Sequence, residues 1–370
     1  MTVNEGPRAL PQTVLRAATD RRLLDETIRQ GRTTRAELAD VTGYSRPTVS
    51  EAVRRLVEGG LLDATGLKET GRRGRIGTFY ELGARAGWVL ALELDQSGVR
   101  ARAADLAGRT LDEHRRPAGA PGDVAALVAN VRAAVGAFPD GPGPLRAVGI
   151  SIANPVHPVT HEVVPLAGTP FPEGLISPRE MIGDLVPAPI LVDNDVNLAA
   201  LAEHRAGRAA GEASFAYVYV GAGLGVGLSI GDQLIRGAHG LAGEIGYLPG
   251  AAAPTLAGDL AAGGLGRSDA PSNDVAAALE LLDRADESAL RVLAAAVARA
   301  IVSVAAVADP ALVLLGGPVG THTALLPRVR AAISFPGPTR VEHGTLGTEA
   351  ALHGALHLAL DHALAAAVAV

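Results

Sequence analysis

The chain of 370 residues contains no cysteine, one tryptophan, two methionines and only 3% aromatic residues. Without cysteine there is no disulfide framework and no thiolate zinc site, a usage that fits a cytoplasmic protein. Also missing is the uninterrupted apolar run of about 18–20 residues that a membrane-spanning helix needs. The longest, VLAAAVARAIVSVAAVA at 292–308, stops at 17 residues and carries Arg299 and Ser303. It reads as a buried helix, and no membrane partner is expected. The N-terminus has no continuous apolar core behind its charges, and Asp20, Asp25 and Glu26 argue against a signal peptide. The histidines at 239, 343, 353, 357 and 362 form no metal-spaced cluster with carboxylates, so neither metal nor cofactor is expected.

What is present is a chain 48% apolar and rich in Ala, Gly and Pro, long enough for two or three domains with cores of their own. Its net charge of −6 hides an asymmetry. Residues 1–87 hold 15 Lys and Arg against 11 Asp and Glu, which leaves 18 against 28 for the rest. A basic head on an acidic body is the expected footprint when only the head meets nucleic acid.

The head, 1–87, shows three helical segments. Thr13–Arg29 places Val14, Leu15, Leu23, Leu24 and Ile28 near helical spacing. In TTRAELADVTG, Thr34 and Glu37 form a capping box and Gly43 closes the helix. In YSRPTVSEAVRRLVEGGLL, Ser45 caps, Pro47 fits the first turn, and Val49, Val53, Leu56 and Val57 make the buried stripe. Two helices around a tight glycine-containing turn predict a helix-turn-helix, whose second helix presents its N-terminal residues to base edges. Ser45, Arg46, Thr48, Ser50 and Arg54 are its candidate DNA contacts. The following LLDATGLKETGRRGRIGTFYELG reads as a β-hairpin with Lys68, Arg72, Arg73 and Arg75 among glycines at its tip, suited to phosphate or minor-groove contact. Together these predict an α+β winged helix-turn-helix domain with double-stranded DNA as partner.

From Trp88 the pattern changes. Three short strands joined by tight turns (88–116) precede a helix at Val124–Ala137, strand RAVGISIAN (146–154), strand APILVDN (188–194) and a helix from Val196 to Arg205. The order then repeats. FAYVYVGAGLGVGLSIGDQLIRG (215–237) gives strand, glycine turn, strand, turn and short strand, followed by helices within 274–308 and strand ALVLLGG at 311–317. Two α/β lobes facing a cleft follow, at 88–205 and 206–370. Apolar helices near 274–308 and at the C-terminus suit either internal packing or the surface of a homodimer or homotetramer.

Together with the winged head, VDNDVN (192–197), the 215–237 segment, GLAGEIG (240–246), LGGPVG (315–320) and LGTEAALHGAL (346–356) make the chain resemble the ROK family of repressors and sugar kinases, on its regulator branch. The resemblance spans nearly the whole chain. It implies a body of two actin/hexokinase-like lobes with sugar and nucleotide meeting in the cleft. It places Asp195 on the family's catalytic base, and Asn194 and Glu244 on sugar contacts. Gly221, Gly223 and Gly225 fall on the phosphate-binding turn, and Gly316 and Gly317 on the nucleoside-binding turn.

The departures from that pattern are as informative. Where the kinases open with Asp-x-Gly-Gly-Thr, this chain has ELDQS, with Asp95 and Gln96 in place of glycines. The lost glycines remove close backbone approach to phosphate, and the acid repels it. A Pro-Gly turn near the sugar becomes Ala153–Asn154, and Tyr247 replaces a histidine that binds both zinc and sugar. LPGAAAPTLAG stands where a three-cysteine zinc loop belongs. The reading is a DNA-binding transcriptional regulator of repressor type, not an enzyme, in which Asp195 is a relic base. Its body would bind a sugar or other small polar effector through Asn154, Asn194, Asp195, Glu244 and Tyr247. The alternatives are an active ATP-dependent sugar kinase with a regulatory head, and a ligand-independent regulator whose body only oligomerises.

Overall fold

The computed structural model describes residues 11–68, 77–138, 141–166, 169, 171–251, 253–261 and 274–369. In the head, α1 (Gln12–Gln30), β1 (Thr33–Thr34), α2 (Arg35–Thr42), α3 (Arg46–Glu58), β2 (Leu62–Lys68) and β3 (Gly77–Leu82) follow one another. The three strands form an antiparallel sheet in the order β1-β3-β2. The helix boundaries obey local chemistry. Thr34 and Glu37 close a reciprocal capping box, Gly43 ends α2 in the left-handed region at φ 73°, and Ser45 accepts the Thr48 N–H at the start of α3. Asp20 of α1, buried, receives the Arg55 guanidinium of α3 at 2.5 Å and locks the two helices together.

The first lobe runs β4 (Trp88–Asp95), β5 (Gly98–Asp105), β6 (Thr110–Pro117), α4 (Val124–Val135), β7 (Leu145–Ile152), α5 (Pro178–Ile182), β8 (Ile190–Asn194) and α6 (Asp195–Ala206). The second runs β9 (Phe215–Val220), β10 (Leu224–Ile230), β11 (Gln233–Leu234), α7 (Leu256–Leu260), α8 (Val275–Asp283), α9 (Glu287–Ala308), β12 (Leu312–Gly316), α10 (Gly317–Gly320), α11 (Leu325–Ala332) and β13 (Arg340–His343). The sheets have matching orders, β6-β5-β4-β7-β8 and β11-β10-β9-β12-β13. In each, an antiparallel meander is extended by two parallel strands. The repeat of element order read from the sequence is thus a repeat of topology.

One assignment is corrected. The sequence gives 206–370 to the second lobe, but the last helix, α12 (Ala350–Val368), crosses back to pack on α6, β4 and β7 of the first. Its packing is close. A Cβ on Gly149 would lie 2.1 Å from the Ala355 carbonyl oxygen, and one on Gly354 would lie 2.0 Å from that of Leu198. Glycine at both positions lets helix meet strand and helix meet helix at backbone distance. Leu352, Leu356 and Leu360 then share one core cluster with Leu23, Leu24, Val53 and Leu62 of the head, so the head is built into the first lobe through α12. Both α9 and the segment 347–368 are long and apolar enough to cross a membrane by length and composition. Each lays one face into a core instead.

Candidate DNA interface and interlobe cleft

The recognition helix opens with its polar groups outward. Arg46, Thr48 and Ser50 are exposed, and Arg46 makes no ion pair among the described residues. Ser45 is occupied in capping, with its hydroxyl 2.8 Å from that of Thr48. Arg54 differs from expectation, since its guanidinium is held by Glu51 and Glu58, each at 2.6 Å. Lys68 ends β2, while Arg72, Arg73 and Arg75 lie outside the described residues. Two basic residues missed in the sequence flank the wing. Arg32 stacks over Phe79 at 4.1 Å and Arg35 over Tyr80 at 5.1 Å. The signal was present in GRTTR, but only the fold brings that turn to β3.

Between the lobes lies a cavity of about 1030 Å³ whose walls include Glu93, Asp95, Asp195, Tyr217, Tyr219 and Gly317. The two acids flanking Asn194 part company here. Asp193 is buried and pairs with Arg236 of the second lobe at 2.6 Å. Asp195 begins α6 and faces the cavity. One Asp195 oxygen accepts the Val196 N–H at 2.8 Å and the Asn194 amide at 2.9 Å. Burial, reinforced by the charges of Asp95 and Glu244, still pushes its carboxyl up to about 7. Glu93, buried on β4 beside it, is pushed up to about 8 by burial, opposed by Arg100. Arg100 contacts both Glu93 and Glu349, and Arg102 joins Glu349 at 2.7 Å. This guanidinium clasp ties the cavity wall to the residue preceding α12.

The other expected ligand contacts are partly spent. Asn154 is 1% exposed; its amide donates to the Phe171 carbonyl at 2.9 Å and its oxygen accepts the Thr169 hydroxyl, so it holds the 169–171 loop rather than facing the cavity. Asn194 caps α6, accepting the N–H groups of Val196 and Asn197, and donates to the Asn154 carbonyl at 3.2 Å. Glu244 and Tyr247 lie together on a 3-10 turn, Ile245–Tyr247, that Glu244 precedes. Burial lifts the Glu244 carboxyl to about 7 and, with that neighbouring charge, raises the Tyr247 phenol as well.

Tyrosines pack against both glycine turns. The Gly221 N–H closes its own turn onto the Gly223 carbonyl at 3.0 Å. A Cβ on Gly221 would meet the Tyr219 hydroxyl at 2.5 Å, one on Gly317 the Tyr219 ring at 2.8 Å, and one on Gly316 the Tyr217 hydroxyl at 2.0 Å. Gly225 serves packing instead, its Cβ direction lying 3.2 Å from Val196 of α6. Period-two spacing of Tyr217 and Tyr219 in FAYVYV was the available signal that both rings share one face of β9. Asp259 of α7 receives the N–H groups of Ala251 (2.7 Å) and Ala253 (2.8 Å) and the Arg299 guanidinium of α9, so its carboxylate clamps these residues together.

Comparison with known proteins agrees with this architecture. The ROK family matches residues 89–258, and a winged helix-turn-helix DNA-binding family matches 16–63. The xylose repressor of Bacillus subtilis (strain 168) is 23% identical over 240 residues, which are 64% of this chain and 62% of that protein. The match therefore spans about three-fifths of its curated relative. A crystal structure of a ROK-family transcriptional regulator, a homologue of the E. coli MLC protein, superposes with a TM-score of 0.68 at 19% identity, covering 96% of this chain and 99% of that one. A ROK-family glucokinase from Streptomyces griseus, in complex with glucose and AMPPNP, gives 0.58 at 24% identity over 74% of this chain and 99% of the other.

Proposed function

Starting from a ROK-family fold behind a winged helix-turn-helix head, we propose that this protein is a DNA-binding transcriptional repressor whose body binds a sugar or other small polar effector without phosphorylating it. The observation that carries the second half is the packing of Tyr217 and Tyr219 against the glycine turns, at Gly221, Gly316 and Gly317. Phosphoryl transfer depends on positioning and on electrostatic stabilisation of a highly charged donor. Here a phenol meets Gly221 of the phosphate-binding turn and phenols meet Gly316 and Gly317 of the nucleoside-binding turn, and Asp95 adds a carboxylate to the same cavity. A triphosphate meets repulsion and lost amide contacts together. A neutral polyol does not, and Asp195 keeps an oxygen suited to accept from a ligand hydroxyl.

The repressor half rests on the head and on the names of similar proteins, a xylose repressor and a ROK-family transcriptional regulator. A dimer would set two recognition helices in successive major grooves, about 34–36 Å apart. The engagement of Asn154 and Asn194 within the protein favours a second reading, in which the body oligomerises without ligand. One experiment separates the readings: fluorescence anisotropy on an enriched duplex, with and without D-xylose or D-glucose, beside an ATP-dependent phosphorylation assay with the same sugars. The proposal expects a sugar-dependent change in DNA affinity and no sugar phosphate. Turnover abolished by Asp195→Asn would establish the kinase instead, and DNA affinity indifferent to every sugar would favour the ligand-independent body.

A further inference from the structure

The two arginines midway along α3 have no charge to spare. Arg54 forks onto Glu51 and Glu58, and Arg55 onto Asp20 at 2.5 Å with a second contact to Glu51 at 3.4 Å. Two guanidinium groups thus serve three carboxylates, and this stretch of the recognition helix offers phosphates no net attraction. What it does offer is a fixed acceptor. Glu51 stands in the second turn of α3 with 54% of its side chain exposed, next to exposed Ser50, and both its oxygens are gripped by Arg54 at 2.6 and 3.2 Å. An ionised carboxylate has no proton to donate. Against DNA it is repelled by backbone phosphates and by the guanine edge, and its best partner in the major groove is the cytosine amino group. Clamping by Arg54 lowers both the cost of bringing that charge to DNA and the rotamer freedom lost on contact.

We infer that Glu51 is a base-reading residue that selects cytosine in the major groove, and that Arg54 is a positioning residue for Glu51 rather than a phosphate contact. The inference rests on the DNA-binding reading above and deepens it. Arg46, at the helix start and without an ion pair among the described residues, is left as the cationic reader on this helix.

The test is selection of a random duplex library by the full-length protein, followed by anisotropy over a salt series with Glu51→Ala, Glu51→Gln, Arg54→Ala and the double variant Glu51→Ala/Arg54→Ala. All four changes are at exposed positions, and circular dichroism verifies the fold of each. Glu51→Ala is expected to erase a cytosine preference of about 5- to 150-fold at one position per half-site. Glu51→Gln should move that preference toward adenine, which an amide reads through paired hydrogen bonds. Arg54→Ala should loosen the same position with little change in salt slope, and add nothing once Glu51 is gone. An unchanged base preference in Glu51→Ala overturns the inference. So does an Arg54→Ala variant that weakens all sequences alike and lowers the salt slope by about one. A wild-type protein that enriches no sequence overturns the DNA-binding reading, and this inference with it.

Discussion

The two lobes share one sheet order yet are tied into the molecule differently. The first lobe is fused to the head, because α12 buries Leu352, Leu356 and Leu360 in a cluster that also holds Leu23 and Leu24 of α1. The second lobe keeps a core of its own, with Leu290, Leu293 and Val297 of α9 against Val218 and Val313 of its sheet. The turns after their first strands differ too. Asp95 folds back onto Ser97 in one, while tyrosines roof the glycines of the other. Head and first lobe therefore form one body, against which the second lobe closes the cleft. Between cleft and head runs α12, about 28 Å long at 1.5 Å per residue. Ala350 and Ala351 line the cavity near one end, and Asp361 receives Arg21 of α1 near the other.

Core truncations give the largest test of this asymmetry. Leu352→Ala and Leu293→Ala remove side chains exposed by no more than 1%, and each should cost about 2–5 kcal/mol in urea unfolding. Only Leu352→Ala should also weaken DNA binding by the intact protein. Equal losses of DNA affinity would dissolve the distinction between the lobes.

The next effect is electrostatic. Asp195 titrates near 7 when folded against an ordinary value of 3.8, so the folded chain keeps a proton that the unfolded chain has released, and stability falls as pH rises from about 4 to 7. Asp195→Asn should therefore raise the melting temperature at pH 8, by the equivalent of about 1–3 kcal/mol, with the gain gone near pH 4. A constant difference at every pH would mean that the carboxyl is not desolvated.

Smaller again is the expected gain of function from Tyr219→Ala. Removing the phenol beside the glycine turns should let AMPPNP bind weakly, at about millimolar Kd or 4 kcal/mol, whereas calorimetry should find no binding to the parent. Tight binding to the parent itself would contradict the tyrosine roof. Smallest is Arg21→Ala, which removes a part-buried contact 3.3 Å from the Asp361 carbonyl together with an ion pair to Asp25. It should cost under about 1 kcal/mol in stability, yet a head that reads α12 should show a changed response of DNA affinity to sugar.

Much of this was legible in the sequence because it is local. Caps at Thr34 and Ser45, the glycine at 43 and the period-two strands specify their elements from within a few residues, and the repeated order of those elements announced two lobes. The candidate site was legible where the side chain's own position decides its surroundings, as for Asp195 at the N-terminus of a helix that follows a strand. It was not legible where the partner is distant. Asn154 spends its amide on Phe171, Asp193 on Arg236 and Arg100 on Glu349, pairings separated by 17 to 249 residues. The ion pairs of Arg54 are local by contrast, since Glu51 and Glu58 stand three and four residues away on the same helix.

By itself, then, the sequence determined the elements, the winged head and the lobe repeat, because hydrogen-bond caps, side-chain periodicity and glycine conformation act over a few residues. Only the tertiary structure decided that α12 returns to the first lobe and carries the head on it, which of the acids flanking Asn194 faces the cleft, and that two tyrosines pack against the glycine turns. Those outcomes depend on burial and on pairing between distant segments. The free energy of a buried charge or a packed ring is set by whatever the fold places around it, and no short stretch of chain contains that information.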